Sequence, residues 1–100
     1  MAKTNFQDLI NGEKPVLIDF YADWCGPCKA FSPVLQQLKQ EMGDEIRVIK
    51  INVDNNPEIS GQLQVRSIPT VMIFQHGDMK WRATGGQSIA AMKQALAELA

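Results

Sequence analysis

Apart from one closely spaced pair, the chain has no cysteine, and its 100 residues include a single histidine. A disulfide scaffold linking distant segments is therefore excluded. A structural zinc site is short of ligands, because the only other N or S donor of note, His76, stands almost fifty residues beyond the pair. Charge is sparse and balanced: ten Lys and Arg face eleven Asp and Glu, and no like-charge run is longer than Asp44-Glu45. With no basic face to displace counterions, nucleic acid is not an expected partner. No uninterrupted apolar run approaches the roughly 20 residues that span a bilayer, so no membrane partner is expected either. Residues Met1 to Asp8 lack the apolar core of a signal peptide, which points to the cytoplasm unless an export segment has been removed. Gly and Pro together number only 12, and seven aromatics accompany 21% charged residues, so disorder and low complexity are excluded for most of the chain.

What is there suits one core. A chain of 100 residues that is 45% apolar is expected to form a single domain over residues 1–100. Thr4-Asn-Phe-Gln7 has the form of a capping box, with Gly12 placed to end a short helix over about Asn5 to Ile10. Val16 to Ala22 is strand-length and apolar on both faces except for Asp19, as in a central parallel strand. Ala30, Phe31, Val34, Leu35, Leu38 and Met42 recur at helical spacing, marking the buried stripe of a long helix that Gly43 closes and Pro33 should bend. Arg47 to Val53 reads as a second strand with Ile49, Ile51 and Val53 on one face, and the strand, helix, strand order makes a parallel crossover. Asn56-Pro57-Glu58 marks an N-cap and a short helix to about Leu63. Pro69 to Gln75 and Met79 to Thr84 read as two strands joined by a His76-Gly77-Asp78 hairpin turn. Ser88 caps a last helix with Ile89, Met92, Leu96 and Leu99 inward. The expectation is a compact α/β sandwich, a four-stranded mixed sheet with helices on both faces.

Both cysteines lie in Trp24-Cys25-Gly26-Pro27-Cys28. A bridge across so short a loop removes only roughly 2 kcal/mol of unfolded-chain entropy, which makes stapling a poor explanation. If a helix begins here, positions 25 and 28 stand one turn apart with Cβ atoms about 5–6 Å from each other, within reach of making and breaking their own bond. Cys25 would meet the unpaired N–H groups and positive end of the helix, which favour a thiolate. Cys28, a turn inside, should be more buried and less ionised. Cys25 is then the attacking thiol, and Cys28 resolves the mixed disulfide. Pro27 stiffens the loop where no N–H is needed, and Gly26 leaves the backbone open to an incoming chain. Asp19, a lone carboxylate in a doubly buried run, should have a raised pKa suited to proton transfer near neutrality. Lys50 lies on the Val48 and Asn52 face and could equally send its ammonium to water. Trp24 precedes the helix stripe and reads as functional, whereas Phe20 and Tyr21 read as core. His76, Trp81 and the methionines read as turn, strand surface and packing.

Here the sequence resembles the thioredoxin family. Trp-Cys-Gly-Pro-Cys-Lys follows an Asp-Phe-Tyr-Ala strand, with Ile68-Pro-Thr about forty residues later and a Gly near the last helix. The resemblance covers nearly the whole chain and implies the thioredoxin-like three-layer sandwich. It implies that Asp19 assists proton transfer at the resolving cysteine and that Lys50 stands near that acid. It makes Pro69 a cis-proline facing the site, with Trp24, Ile68 and Gly85 on the surface that holds a substrate segment. It further implies a protein-disulfide reductase with no cofactor beyond its own dithiol, working as a monomer and recharged by an NADPH-dependent thioredoxin reductase. Two departures stand out. The family usually opens with an extra β-strand, for which there is little room before Thr4, so the Arg47 to Val53 strand is expected at an exposed edge. Tyr21 and Ser67 stand where Trp and Gly are common.

Three other readings compete. An oxidase or isomerase would share the chemistry but show an oxidising potential; Gly-Pro between the cysteines lacks a His or other group that would further stabilise the thiolate. A docking module would keep its role after both cysteines are replaced by serine, and a zinc protein would carry stoichiometric metal.

Overall fold

The computed structural model describes residues 5–99. Two strands are buried along almost their whole length because both of their faces are covered. In β1 (Val16–Tyr21) and β3 (Thr70–Gln75) five of the six residues are buried. Of the flanking strands, β2 (Arg47–Asn52) buries only Ile51, and β4 (Asp78–Thr84) is exposed at five of its seven positions, as at a sheet edge. The sheet order is β2-β1-β3-β4, with β1 and β2 parallel and the other pairs antiparallel. Among the described residues β2 is thus an edge, as the departure from the family pattern led one to expect.

The period-2 alternation of the strands divides the core into two layers. On one side Leu17, Val71 and Ile73 meet Phe31, Leu35 and Leu38 of α2 (Gly26–Met42) and Met92, Ala95 and Leu96 of α4 (Ile89–Ala97). On the other side Val16, Ile18, Phe20, Met72 and Phe74 meet Ile10 of α1 (Phe6–Ile10) and, less fully buried, Ile59 of α3 (Pro57–Gln62). A four-stranded mixed sheet with helices on both faces, the expected three-layer sandwich, is what the chain forms.

Several local expectations need correction. Thr4 lies outside the described residues; α1 is capped by Asn5, whose side chain accepts from the Asp8 N–H. The helix ends at Asn11 with φ of −89°, so Gly12 is not the left-handed terminator the sequence suggested. Ala30 is exposed, and the α2 stripe begins at Phe31. Asn56 does not cap α3 with its side chain, which instead donates to the Asn52 carbonyl. Trp81 packs half-buried against the α2 and α4 layer and is not merely strand surface.

The hairpin is tighter than predicted. Asp78 pairs with Gln75, leaving a two-residue loop whose His76 and Gly77 both have positive φ, 56° and 84°. That handedness matches the twist of the flanking strands, and it puts a strain on His76 that Gly77 avoids.

Candidate active site

Four segments meet at one end of the sheet: the loop leaving β1, the turn leaving β2, the segment entering β3 and the residue following β4. The parallel pairing of β1 with β2 and the reversal into β3 and β4 make this convergence unavoidable. Trp24 and Cys25 come from the first, Asp54 from the second, Ile68 and Pro69 from the third, Gly85 from the fourth.

Cys25 is the N-cap of α2, with extended φ and ψ of −89° and 109°. Its Sγ accepts the Cys28 backbone N–H at 3.1 Å, a role normally taken by a Ser or Asp oxygen. The next turn is anchored by the Lys29 N–H donating to the Cys25 carbonyl, and Pro27 sits in the first turn, where its missing N–H leaves no gap. The cysteines form a disulfide, with Cα atoms 5.3 Å apart, inside the range bridged cysteines adopt.

Burial does not separate the two cysteines: Cys25 is 4% exposed and Cys28 3%. The expected difference in accessibility is absent from the disulfide form. Both pack in a small cluster with Ala22, and the asymmetry lies in polarity, since only the Cys25 sulfur receives a backbone N–H at the start of the helix while Cys28 sits a turn inside. The Cys25 sulfur also lies 3.9 Å from the Ile68 carbonyl, which a thiol could address as donor.

The Ile68-Pro69 peptide is cis, as the resemblance implied. Pro69 is buried, and its carbonyl accepts the Gly85 N–H at 2.7 Å. Gly85 has φ of 89°, which a side chain would strain. A Cβ at Gly26 or Gly85 would meet no atom within 4 Å, so the backbone at both positions borders open space. Trp24 is 71% exposed, and its indole N–H donates to Asp54 Oδ2 at 2.8 Å. Asp54 was missed in the sequence; its one signal is its position just beyond the carboxyl end of a parallel strand, where sites gather.

Asp19 is fully buried on β1, and neither carboxylate oxygen has a hydrogen-bond partner. Burial raises its pKa to about 6, opposed by the positive charge of Lys50. Lys50 is its direct neighbour across the β1–β2 ladder. The Lys50 ammonium donates to Ser32 Oγ at 3.2 Å and stands 4.7 Å from the centre of the Tyr21 ring. Both readings of Lys50 therefore hold: it is an exposed residue, and its charge is felt by the buried acid. A cavity of about 430 Å³ lined by Tyr21, Cys28, Ser32 and Lys50 among others opens on this side of the disulfide. Among the described residues no cluster of three or more His, Cys, Asp or Glu is placed to hold a metal ion, and no helix is long and apolar enough to cross a membrane.

The family model Thioredoxin matches residues 1–98. Thioredoxin from Alicyclobacillus acidocaldarius is 40% identical over 99% of this chain and 94% of its own length. Thioredoxin 1 of Chlorobaculum tepidum is 45% identical over 94% of this chain and 93% of its own. A bifunctional thioredoxin reductase/thioredoxin of Mycobacterium leprae is 43% identical over 94% of this chain, which spans only 20% of that larger protein. The crystal structure of oxidised mitochondrial thioredoxin 3 from Saccharomyces cerevisiae superposes with a TM-score of 0.83 at 33% identity, covering 93% of this chain and 86% of that one. With a redox-active cysteine pair at a helix start, the same fold and relatives of this extent, the chain belongs to the thioredoxin family and is a thiol–disulfide oxidoreductase that reduces protein disulfides.

Proposed function

We propose that Cys25 is the nucleophile and Cys28 the resolving thiol of this reductase. The observation that carries the assignment is the Cys28 N–H aimed at the Cys25 sulfur, because a donor of that kind stabilises a thiolate at Cys25 and offers nothing to Cys28. The Cys25 thiolate attacks one sulfur of a substrate disulfide and expels the other as a thiolate, which takes a proton from water. Cys28 then gives its proton to the Asp19 carboxylate and attacks the Cys25 sulfur. The second substrate thiolate leaves, and two electrons have passed to the substrate while the Cys25–Cys28 bond has formed. Lys50 adjusts the acidity of Asp19 through space, and Trp24, Gly26, Pro27, Ile68, Pro69 and Gly85 form the surface along which the substrate segment lies.

Return of the electrons falls to an NADPH-dependent thioredoxin reductase, a partner supported by the Mycobacterium leprae relative, whose name joins a thioredoxin reductase and a thioredoxin. The protein works as a single-domain monomer in the cytoplasm, with its dithiol as its only redox group. Equilibration with glutathione buffers tests the direction of the reaction: the dithiol is expected to reduce glutathione disulfide almost completely. A pair that stays oxidised in a reducing glutathione buffer would make the protein an oxidase and overturn the reading.

The Asp54 carboxylate fixes the orientation of the Trp24 indole on the substrate surface. Replacing Asp54 with alanine frees the indole and is expected to lower kcat/KM for insulin reduction about fivefold, the scale of one hydrogen bond. Stopped-flow tryptophan fluorescence of the variant should report a more solvent-exposed ring, and an unchanged kcat/KM would remove Trp24 from the substrate surface.

A further inference from the structure

Ile68 reaches the disulfide from a connector, residues 63–67, that belongs to no helix or strand. Its position is nonetheless fixed at both ends. At the far end Thr70 Oγ1 donates to the Ser67 carbonyl at 2.6 Å, and the Gly85 N–H holds the Pro69 carbonyl. At the near end α3 closes with the Gln64 N–H donating to the Gly61 carbonyl at 3.0 Å and the Val65 N–H to the Ser60 carbonyl at 2.9 Å, which leaves the Leu63 and Gln64 carbonyls outside the helix ladder. Gln64 there has φ of 55°, a left-handed conformation that a side-chain-bearing residue adopts at some cost and keeps only when its surroundings hold it.

Those two backbone bonds hold Gln64 to α3, and Arg82 holds both to the sheet. One guanidinium nitrogen donates to the Leu63 carbonyl and the other to the Gln64 carbonyl at 2.8 Å. Arg82 stands on β4 opposite Met72 of β3, so its base is part of the sheet, and it lies on the face that carries α3. The planar fork of an arginine can bridge two adjacent carbonyls in a way that a lysine, with its single ammonium, reproduces only in part. Arg82 thus ties the sheet to the start of the very segment whose end presents Ile68 beside Cys25.

We propose that Arg82 is a positioning residue for protein substrates: by clamping the Leu63 and Gln64 carbonyls it holds the 63–68 segment ready for an extended substrate chain, while taking no part in the thiol chemistry. The inference rests on Ile68 and Pro69 forming the substrate surface. A loosened segment must be ordered each time a polypeptide docks, whereas a small disulfide needs only the Cys25 sulfur.

The test compares Arg82→Met, Arg82→Lys and Ile68→Ala in two reactions of the intact protein: steady-state reduction of insulin, and the second-order reaction of the dithiol form with a small aromatic disulfide such as 5,5′-dithiobis(2-nitrobenzoate). For Arg82→Met the insulin KM is expected to rise about tenfold with kcat within about twofold, and the small disulfide to react at the wild-type rate within about twofold. Arg82→Lys should fall between. Amide hydrogen exchange should quicken at residues 65–68 and stay unchanged in β1 and β3. Equal losses on both substrates would mean a general structural role, and an unchanged insulin KM would mean no role; either overturns the clamp. If Ile68→Ala raises the insulin KM and Arg82→Met does not, the clamp alone falls; if neither does, the substrate-surface reading falls with it.

Discussion

Cys28→Ser is expected to convert the protein from a catalyst into a trap. Its Cys25 thiolate still receives the backbone N–H of position 28, because that donor belongs to the chain and survives the change of side chain. Attack on a substrate disulfide therefore proceeds, but no second thiol stands one turn away to release the product, and a covalent adduct accumulates. Cys25→Ser should behave oppositely. A hydroxyl is not ionised near neutrality, and the remaining Cys28 sulfur lies a turn inside without the backbone N–H that Cys25 receives, so insulin reduction should fall by several orders of magnitude with no adduct. Intact-mass spectrometry after mixing each variant with oxidised insulin separates these outcomes. Normal turnover by Cys28→Ser would mean that the roles have been assigned to the wrong sulfurs. Alkylation of the reduced wild-type protein gives an independent reading, with Cys25 expected to react well ahead of Cys28.

Asp19→Asn should gain stability relative to the wild type as pH rises from acid to neutral. The carboxyl is more acidic in the unfolded chain, near 3.8, than in the folded protein, near 6. Between those values the native state holds a proton that the unfolded state has released, so this group's contribution to stability is fully present below about pH 3.8 and is lost as pH rises through about 6. A difference of roughly two pKa units corresponds to about 3 kcal/mol. Urea unfolding should therefore show the variant gaining about 3 kcal/mol on the wild type between pH 3.5 and 7.5, on top of a pH-independent cost for the unpartnered amide. A flat difference across that range would mean that Asp19 is solvated. The same variant should resolve mixed disulfides slowly at pH 7, and the gap to the wild type should narrow as pH rises and hydroxide takes the Cys28 proton in place of the carboxylate.

The residues that were easiest to read from the sequence were those whose role is set by neighbours in the chain. The Cys25–Cys28 spacing, the Ser88 cap and the apolar runs of the two central strands depend on local geometry, and each took the expected form. Asp19 was legible because a carboxylate in such a run conflicts with its surroundings. Contacts made across the fold were not legible. Nothing near Asp54 announces a bond to an indole 30 positions earlier, and nothing near Arg82 announces two carbonyls 18 and 19 positions away. Asn56 shows a local rule losing to a competitor, since its amide found the Asn52 carbonyl in place of a helix N–H. The equal burial of the two cysteines escaped because spacing alone says nothing about which loops lie over a helix start.

All the reacting groups crowd one rim of the sheet, and the His76–Gly77 turn lies at the other, beyond the six residues of β3. Six extended residues span about 20 Å. A tether to a bead, an electrode or a carrier protein attached beside that turn would hold the molecule with its disulfide facing outward, so immobilisation there should leave electron delivery to bulky substrates unhindered.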